Sequence, residues 1–260
     1  MKQQKSAVLS VIAILALGMA VALILVIRML GFGYTTLDNG VKFLGRTSSG
    51  VPTKGTAYFS DGSARYDFAT QTLEYSNGDR YEGPVENMLP HGKGTYTWAN
   101  GDVYEGDFIR GLREGIGTLT YASGDCYSGS WKGDILSGEG VYTYADGSQF
   151  SGWFADNMKN GTGVYKYASG DVYEGSFSDD QKHGQGTYTW ANGDVYTGSF
   201  LNDLRQGEGR MQWVSGDLYT GSFLNGQIHG QGTYTWVATA SRPARTYTGV
   251  FAEGKIVSVS

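Results

Sequence analysis

An aromatic residue, any residue and then glycine recurs seven times in this chain, each copy 23 residues after the last. The aromatics are Tyr81, Tyr104, Tyr127, Phe150, Tyr173, Tyr196 and Tyr219, and the glycines stand at 83, 106, 129, 152, 175, 198 and 221. A strict period of this length marks a repeat array, in which each unit buries surface against its neighbours. It predicts an elongated molecule whose function lies along a surface rather than in one deep pocket.

Within a unit, Tyr104, Gly106 and Phe108 alternate with Val103, Glu105 and Asp107. That period of two predicts a strand. Leu119 and Tyr121 alternate with Thr118 and Thr120 and predict a second one. The second strand runs into a glycine turn at Asn77-Gly78, Asn100-Gly101, Ser123-Gly124, Asp146-Gly147, Ser169-Gly170, Asn192-Gly193 and Ser215-Gly216. Asn-Gly and Asp-Gly are strong hairpin signals because both residues tolerate positive φ. A lone hairpin is marginal in water, so the units must pair edge to edge. The predicted fold class is therefore all-β, an elongated single-layer antiparallel sheet of stacked β-hairpin repeats, preceded by one transmembrane α-helix. About 20 strands at about 4.8 Å spacing would make a sheet about 90 Å long.

The glycines between the strand aromatics leave gaps that a ring from an adjacent strand can cover. A second aromatic row, Trp98, Tyr121, Tyr144, Tyr167, Trp190, Trp213 and Trp236, keeps the same period, so one face carries a lengthwise ladder of rings. Gly-x-Gly recurs at 92/94, 115/117, 138/140, 161/163, 184/186, 207/209 and 230/232. No helix follows it, so it reads as strand-start geometry rather than a phosphate cradle. Less regular copies extend the array toward both ends. Phe43 and Gly45 match Tyr104 and Gly106, and Tyr247-Thr248-Gly249-Val250-Phe251 returns to pattern after an expanded turn.

Ala7 to Ile27 carries no charge over 21 residues, with Lys2 and Lys5 before it and Arg28 after it. As a helix this segment spans about 30 Å, one hydrocarbon core. Its apolar run continues past the small residues Ala20-Val21-Ala22, which favours an uncleaved anchor over a signal peptide. The predicted order is a tail over 1–6, the anchor over 7–30, degenerate capping repeats over 31–78, regular repeats over 79–236 and an atypical cap over 237–260. The balance of flanking lysines and arginines predicts a single-pass protein with a cytoplasmic N-terminus and the repeats on the far side. No Ser- or Pro-rich spacer separates the anchor from the first hairpins, which predicts that they stand close to the bilayer.

The pattern Tyr-x-Gly-x-Phe/Trp, followed by Gly-x-Gly at a 23-residue step, resembles the MORN (membrane occupation and recognition nexus) repeat family. His91-Gly92-Lys93-Gly94, His183-Gly184-Gln185-Gly186 and His229-Gly230-Gln231-Gly232 match its His-Gly-x-Gly element. The resemblance implies a single-layer hairpin array that acts in protein contacts, membrane apposition or dimer formation. The chain departs from the family's loop glycine, kept at Gly111 and Gly226, by placing Met88, Asp134, Asn157, Asp180 and Asp203 there.

The side chains with chemistry do not converge. His91, His183 and His229 lie in separate units, so no metal site or triad is nominated. Asp79, Asp102, Asp125, Asp171, Asp194 and Asp217 follow the turn glycines, with Ser148 breaking the row. Equivalent positions stand about 9.6 Å apart, while calcium needs oxygens at about 2.3–2.6 Å, so these residues read as turn stabilisers. Asp179-Asp180 read as solvated. Cys126 is the only cysteine and takes a small apolar strand position. The expectation is a protein without catalytic residues, cofactor or metal.

Without Lys2, Lys5 and Arg28 the chain holds 17 basic against 25 acidic residues, a net of −8, which excludes a nucleic-acid footprint. Lys132, Lys159, Lys166, Lys182 and Arg205 read as scattered, with no row to meet lipid head groups. The candidate interaction face is Tyr104, Phe108, Tyr127, Trp131, Phe150, Phe154, Tyr173, Phe177, Trp190, Tyr196, Phe200, Trp213, Tyr219 and Phe223. The functional expectation is a membrane-tethered scaffold that binds a protein partner or a second copy along these rings. The alternative is a membrane-contact protein whose repeats bind lipid head groups.

Overall fold

The computed structural model describes residues 33–37 and 40–257. The predicted anchor over 7–30 and the tail before it lie outside them. The described residues form strands and turns and contain no helix; none is long and apolar enough to cross a membrane. They fall into two compact units that divide between Asn100 and Gly101.

The first unit holds β1 (Gly33–Thr36), β2 (Lys42–Ser48), β3 (Val51–Tyr58), β4 (Ala64–Asp67), β5 (Thr72–Tyr75), β6 (Arg80–Glu82), β7 (Val85–Glu86), β8 (Leu89–Pro90) and β9 (Gly92–Thr97). Strands β1 to β6 form an antiparallel meander, and β9 adds to β6. Strands β7 and β8 pair only with each other. Phe43, Ala57, Leu73 and Tyr81 are completely buried here. The match of Phe43 and Gly45 to the repeat has a physical basis, since the Phe43 ring lies against Gly45.

The second unit runs through β10 (Val103–Ile109), β11 (Leu112–Thr120), β12 (Cys126–Lys132), β13 (Ile135–Thr143), β14 (Gln149–Ala155), β15 (Met158–Lys166) and β16 (Val172–Ser178). It continues through β17 (Gln181–Thr189), β18 (Val195–Leu201), β19 (Leu204–Gln212), β20 (Leu218–Leu224), β21 (Gln227–Trp236), β22 (Arg245–Ala252) and β23 (Lys255–Ile256). Each strand pairs antiparallel with the next.

Two kinds of turn alternate, and they reverse the sequence expectation. At the glycine turns only glycine takes positive φ, as Gly124 does at +98°, and Ser123 before it does not. The Gly124 N–H donates to the Tyr121 carbonyl at 2.9 Å and the Tyr121 N–H to Asp125 at 2.9 Å. A turn that needs one left-handed residue explains why Asn, Asp and Ser interchange before the glycine. The tight two-residue turns lie at the other end of each hairpin, where both residues take positive φ: Gly133-Asp134, Asp156-Asn157, Asp179-Asp180, Asn202-Asp203 and Asn225-Gly226.

The two glycines of Gly-x-Gly have separate duties. Gly115, at φ +68°, sits where the register slips between Gly106–Gly117 and Asp107–Glu114. Such a bulge bends the strand. The second glycine pairs across the sheet with the glycine of Tyr-x-Gly, as Gly175 does with Gly186. A Cβ built on either would stand 2.5 Å from Tyr173 atoms. The ring that covers the Tyr-x-Gly glycine therefore comes from its own strand, two residues earlier, and the same ring reaches across to the paired glycine of the next strand.

Candidate functional site

In the second unit the rings of Tyr104, Tyr127, Phe150, Tyr173, Tyr196 and Tyr219 lie over such glycine pairs and are 0 % exposed. Each is gripped edge-on from two sides. Tyr173 meets Phe177 of its own strand at 5.1 Å between centroids and Phe200 of the next unit at 5.0 Å. The same contacts link Tyr104, Trp131, Tyr127, Phe154, Phe150, Phe177, Tyr173, Phe200, Tyr196, Phe223, Tyr219 and Phe251 without a break. This is the preferred geometry for ring quadrupoles. The hydroxyls are satisfied as well: Tyr127 donates to the Ser130 carbonyl at 3.0 Å, and Tyr173 and Tyr196 to Ser176 and Ser199 at 2.9 Å. Burial pushes the Tyr104, Tyr127, Tyr173 and Tyr196 hydroxyls up to about 12.

Twelve of the fourteen residues assigned to an interaction face therefore form the core. Tyr104, Phe108, Tyr127, Trp131, Phe150, Phe154, Tyr173, Phe177, Tyr196, Phe200, Tyr219 and Phe223 are all 5 % exposed or less. Rings spent on one another and on glycine backbone have no area left for a partner. Trp190 and Trp213 are half-buried and stand apart from this group.

They belong to a second, outer row. Strand register sets Tyr142 beside Tyr127 and Phe150, so both rows share one face. The outer row comprises Tyr121, Tyr142, Tyr144, Tyr165, Tyr167, Tyr188, Trp190, Trp213, Tyr234 and Trp236, all half-buried. Centroid distances from 4.4 to 6.3 Å connect Tyr121 through Trp190. The row resumes at Trp213, Tyr234 and Trp236. Met211 takes the place of a tyrosine between them and is buried. The sequence reading found Tyr121, Tyr144, Tyr167 and the tryptophans but missed Tyr142, Tyr165, Tyr188 and Tyr234, two residues before them. The recurrent aromatic-x-aromatic spacing is the signal that marks them.

A row of cations borders these rings, contrary to the expectation of scattered charge. Lys159, Lys182 and Arg205 stand 23 residues apart, and Arg113 holds the same position two units earlier. Lys182 Nζ lies 5.6 Å from both the Tyr167 and Tyr188 ring centroids, and Arg205 5.4 Å from that of Trp190. Three of the four meet a carboxylate of the following turn: Arg113 with Asp134 at 2.8 Å, Lys159 with Asp180 at 3.0 Å and Lys182 with Asp203 at 3.3 Å. These three cations are only 14–18 % exposed.

The departures from the loop glycine now have a reason. Asp134, Asn157, Asp180 and Asp203 take φ between +66° and +69°, a region Asn and Asp tolerate better than other side chains. In exchange their Oδ1 atoms accept the backbone N–H of Arg113, Leu136, Lys159 and Lys182 in the preceding unit at 2.9–3.0 Å. Asp180 is thus a link between units rather than a free solvated residue. Where Gly226 remains, its carbonyl accepts from the Arg205 guanidinium instead.

The Asp row at the opposite hairpin ends works likewise. Asp125, Asp171 and Asp194 accept the N–H of Ala145, Ala191 and Val214 in the next unit at 2.8 Å, and Ser148 Oγ does this for Ala168 at 3.0 Å. Tyr188 also donates to Asp171 at 2.7 Å, which holds that carboxyl below the usual range. Among the described residues no group of three His, Cys, Asp or Glu could hold a metal ion. Cys126 is a half-buried strand residue.

The MORN repeat description matches seven successive segments, 81–103, 104–126, 127–149, 150–172, 173–195, 196–218 and 219–238, more than half of the chain. The chain belongs to the MORN repeat family. No curated protein matches this MORN chain. Among solved structures it is similar to the SAS-4 (dCPAP) TCP domain of Drosophila melanogaster, solved in complex with a proline rich motif of Ana2 (dSTIL). That likeness has 19 % identity, covers 68 % of this chain and 95 % of that one, and has a TM-score of 0.39. A streptogramin B lyase aligns at 12 % identity over 85 % of this chain and 84 % of that one, with a TM-score of 0.16. A virginiamycin B lyase from Staphylococcus aureus aligns at 12 % identity over 83 % and 69 %, with a TM-score of 0.14. At these scores the three likenesses carry no weight for function.

Proposed function

We propose that this MORN protein is a non-catalytic scaffold, held at a membrane by residues 7–30, that binds a protein partner or a second copy along its outer ring row. The observation that carries the reading is the half-buried outer row, linked from Tyr121 to Trp190 and again from Trp213 to Trp236, beside a fully buried one. The inner rings are wholly spent on holding the units together, whereas the outer rings touch across units and still keep part of their surface in water. Aromatic side chains give large contact area with few rotatable bonds, which suits them to the centres of protein interfaces. Trp190 and Trp213 are the two residues of the original interaction face that keep this role. The absence of catalysis rests on His91, His183 and His229 lying in separate repeats.

The lipid reading is weaker. A basic surface near anionic lipid gains about 1 kcal/mol per exposed cation. Arg113, Lys159 and Lys182 are instead largely covered and paired with their own carboxylates, on a repeat body of net −8.

The test is capture of partners, and sedimentation of the protein alone, with the solubilised full chain and its Trp190→Ser/Trp213→Ser variant. Loss of the partner or of self-association with an unchanged β spectrum supports the scaffold. Unchanged association contradicts it. Strong, salt-sensitive co-sedimentation with anionic but not neutral vesicles would replace it with the lipid reading.

A further inference from the structure

The fold also requires little of the face opposite the rings, and there the second unit departs from its own repeat. A groove of about 850 Å³ crosses β12 to β18 on that face. The glycine pairs Gly129–Gly140, Gly152–Gly163 and Gly175–Gly186 form its floor. Ser128, Ser151, Thr187 and Thr197 present hydroxyls along it. Three further lining residues stand out: Glu139, Trp153 and Glu174.

Trp153 is 50 % exposed. The equivalent residue is Asp107, Ser130, Ser176, Ser199, Ser222 and Val250 in the other copies of the second unit, so the array does not need a ring there. Glu139 lies directly across from Trp153 in the strand register. Its counterparts are Ile116, Thr162, Gln185, Glu208 and Gln231. Both glutamates are exposed, and neither forms an ion pair among the described residues. No lysine or arginine lines the groove. Arg210, paired with Thr197, lies on the same face one strand beyond the lining, and Lys166, paired with Val172, flanks the lining on β15, two residues from the Val164 that faces Glu174.

We infer that this groove is a second docking site, for an extended, basic polypeptide segment. One cation would lie on the Trp153 face against Glu139, where ring quadrupole and carboxylate act together. A second would meet Glu174. The two carboxylates are three strands apart, about 14 Å of sheet, which an extended chain spans in about four residues. The seven strands together cover about 29 Å, room for about nine residues. The hydroxyl rows supply donors and acceptors to the peptide groups between the cations. Like charge at Arg210 stops the segment at that end. The site is independent of the outer ring row, which lies on the other face.

The experiment is fluorescence anisotropy on the solubilised full chain with labelled nine-residue Gly/Ser peptides. One carries two arginines four residues apart, and its control carries glutamates there. The arginine peptide is expected to bind, more weakly at high salt, and the glutamate peptide is not. Glu139→Gln/Glu174→Gln should weaken binding about tenfold, and Trp153→Ser about threefold. Trp190→Ser/Trp213→Ser should leave it unchanged even where partner capture by the outer row is lost. Each variant's β spectrum and melting temperature are checked alongside. No binding of the arginine peptide, or equal binding of both peptides, would overturn the site. Unchanged affinity in a folded Glu139→Gln/Glu174→Gln protein would do the same. Displacement of the peptide by an equal concentration of spermine, which has charge but no backbone, would overturn the assignment to polypeptide.

Discussion

The inner and outer ring rows share one face, one period and nearly one composition, yet one is core and the other surface. Tyr173 is completely buried and Tyr167 is half-exposed. The difference lies beneath the ring. Tyr173 lies over Gly175 and Gly186, so it reaches the backbone and leaves its flanks to Phe177 and Phe200. Tyr167 stacks obliquely on Tyr165 at 4.4 Å and keeps part of its surface in water. Burial in a one-sheet array is therefore decided by paired glycines rather than by a second layer.

The largest effect should come from emptying the inner row. Tyr173→Ala removes a ring held on both sides and should cost about 3–5 kcal/mol, read as a lower denaturation midpoint. Gly186→Ala attacks the same contact from below. The added methyl must displace Tyr173, at about 1–3 kcal/mol, and a melting temperature equal to wild type would refute the role given to the glycine pair.

The inner row also predicts a response to alkali. The unfolded tyrosines ionise near 10, while Tyr104, Tyr127, Tyr173 and Tyr196 hold their protons to about 12 when folded. The folded state then binds more protons between those values. Stability should be flat below about pH 9 and fall from about 10 to 12. Tyr127→Phe/Tyr173→Phe should flatten that fall in urea titrations at stepped pH. Phe150 already fills an inner site without a hydroxyl.

The links between units should be smaller. Asp180→Ala loses the bond to the Lys159 N–H and leaves alanine at φ +68°, about 1–2 kcal/mol. Asp180→Gly loses the bond but relieves the backbone, and should sit closer to wild type, as Gly226 does naturally. Trp213→Ser in the outer row removes a half-buried ring stacked on Tyr234, and should cost less stability than Tyr173→Ala while lowering association.

Much of the fold was legible because it is local. Alternation of Tyr104, Gly106 and Phe108 marks a strand wherever the chain goes, and turn glycines mark hairpin ends. The turn types were not legible. Asn-Gly suggested two left-handed residues, but the array uses that geometry at Asp179-Asp180, where the carboxylate gains a bond 21 residues away. The site was legible only in part, because period alone treats both aromatic rows alike. What separates them is the cross-strand partnership of Gly175 with Gly186, a long-range fact. The cation row at Lys159, Lys182 and Arg205 was open to inspection, since its 23-residue step is plain in the sequence, but its pairing with Asp180 and Asp203 needed the sheet.

The most direct test of the two-row account is hydroxyl-radical footprinting of the full chain, with oxidation read residue by residue by mass spectrometry. The account predicts that Tyr142, Tyr144, Tyr167, Trp190 and Trp213 are oxidised readily while Tyr127, Tyr173, Tyr196 and Tyr219 are protected until the chain unfolds. Equal oxidation of both rows in the folded protein would contradict it.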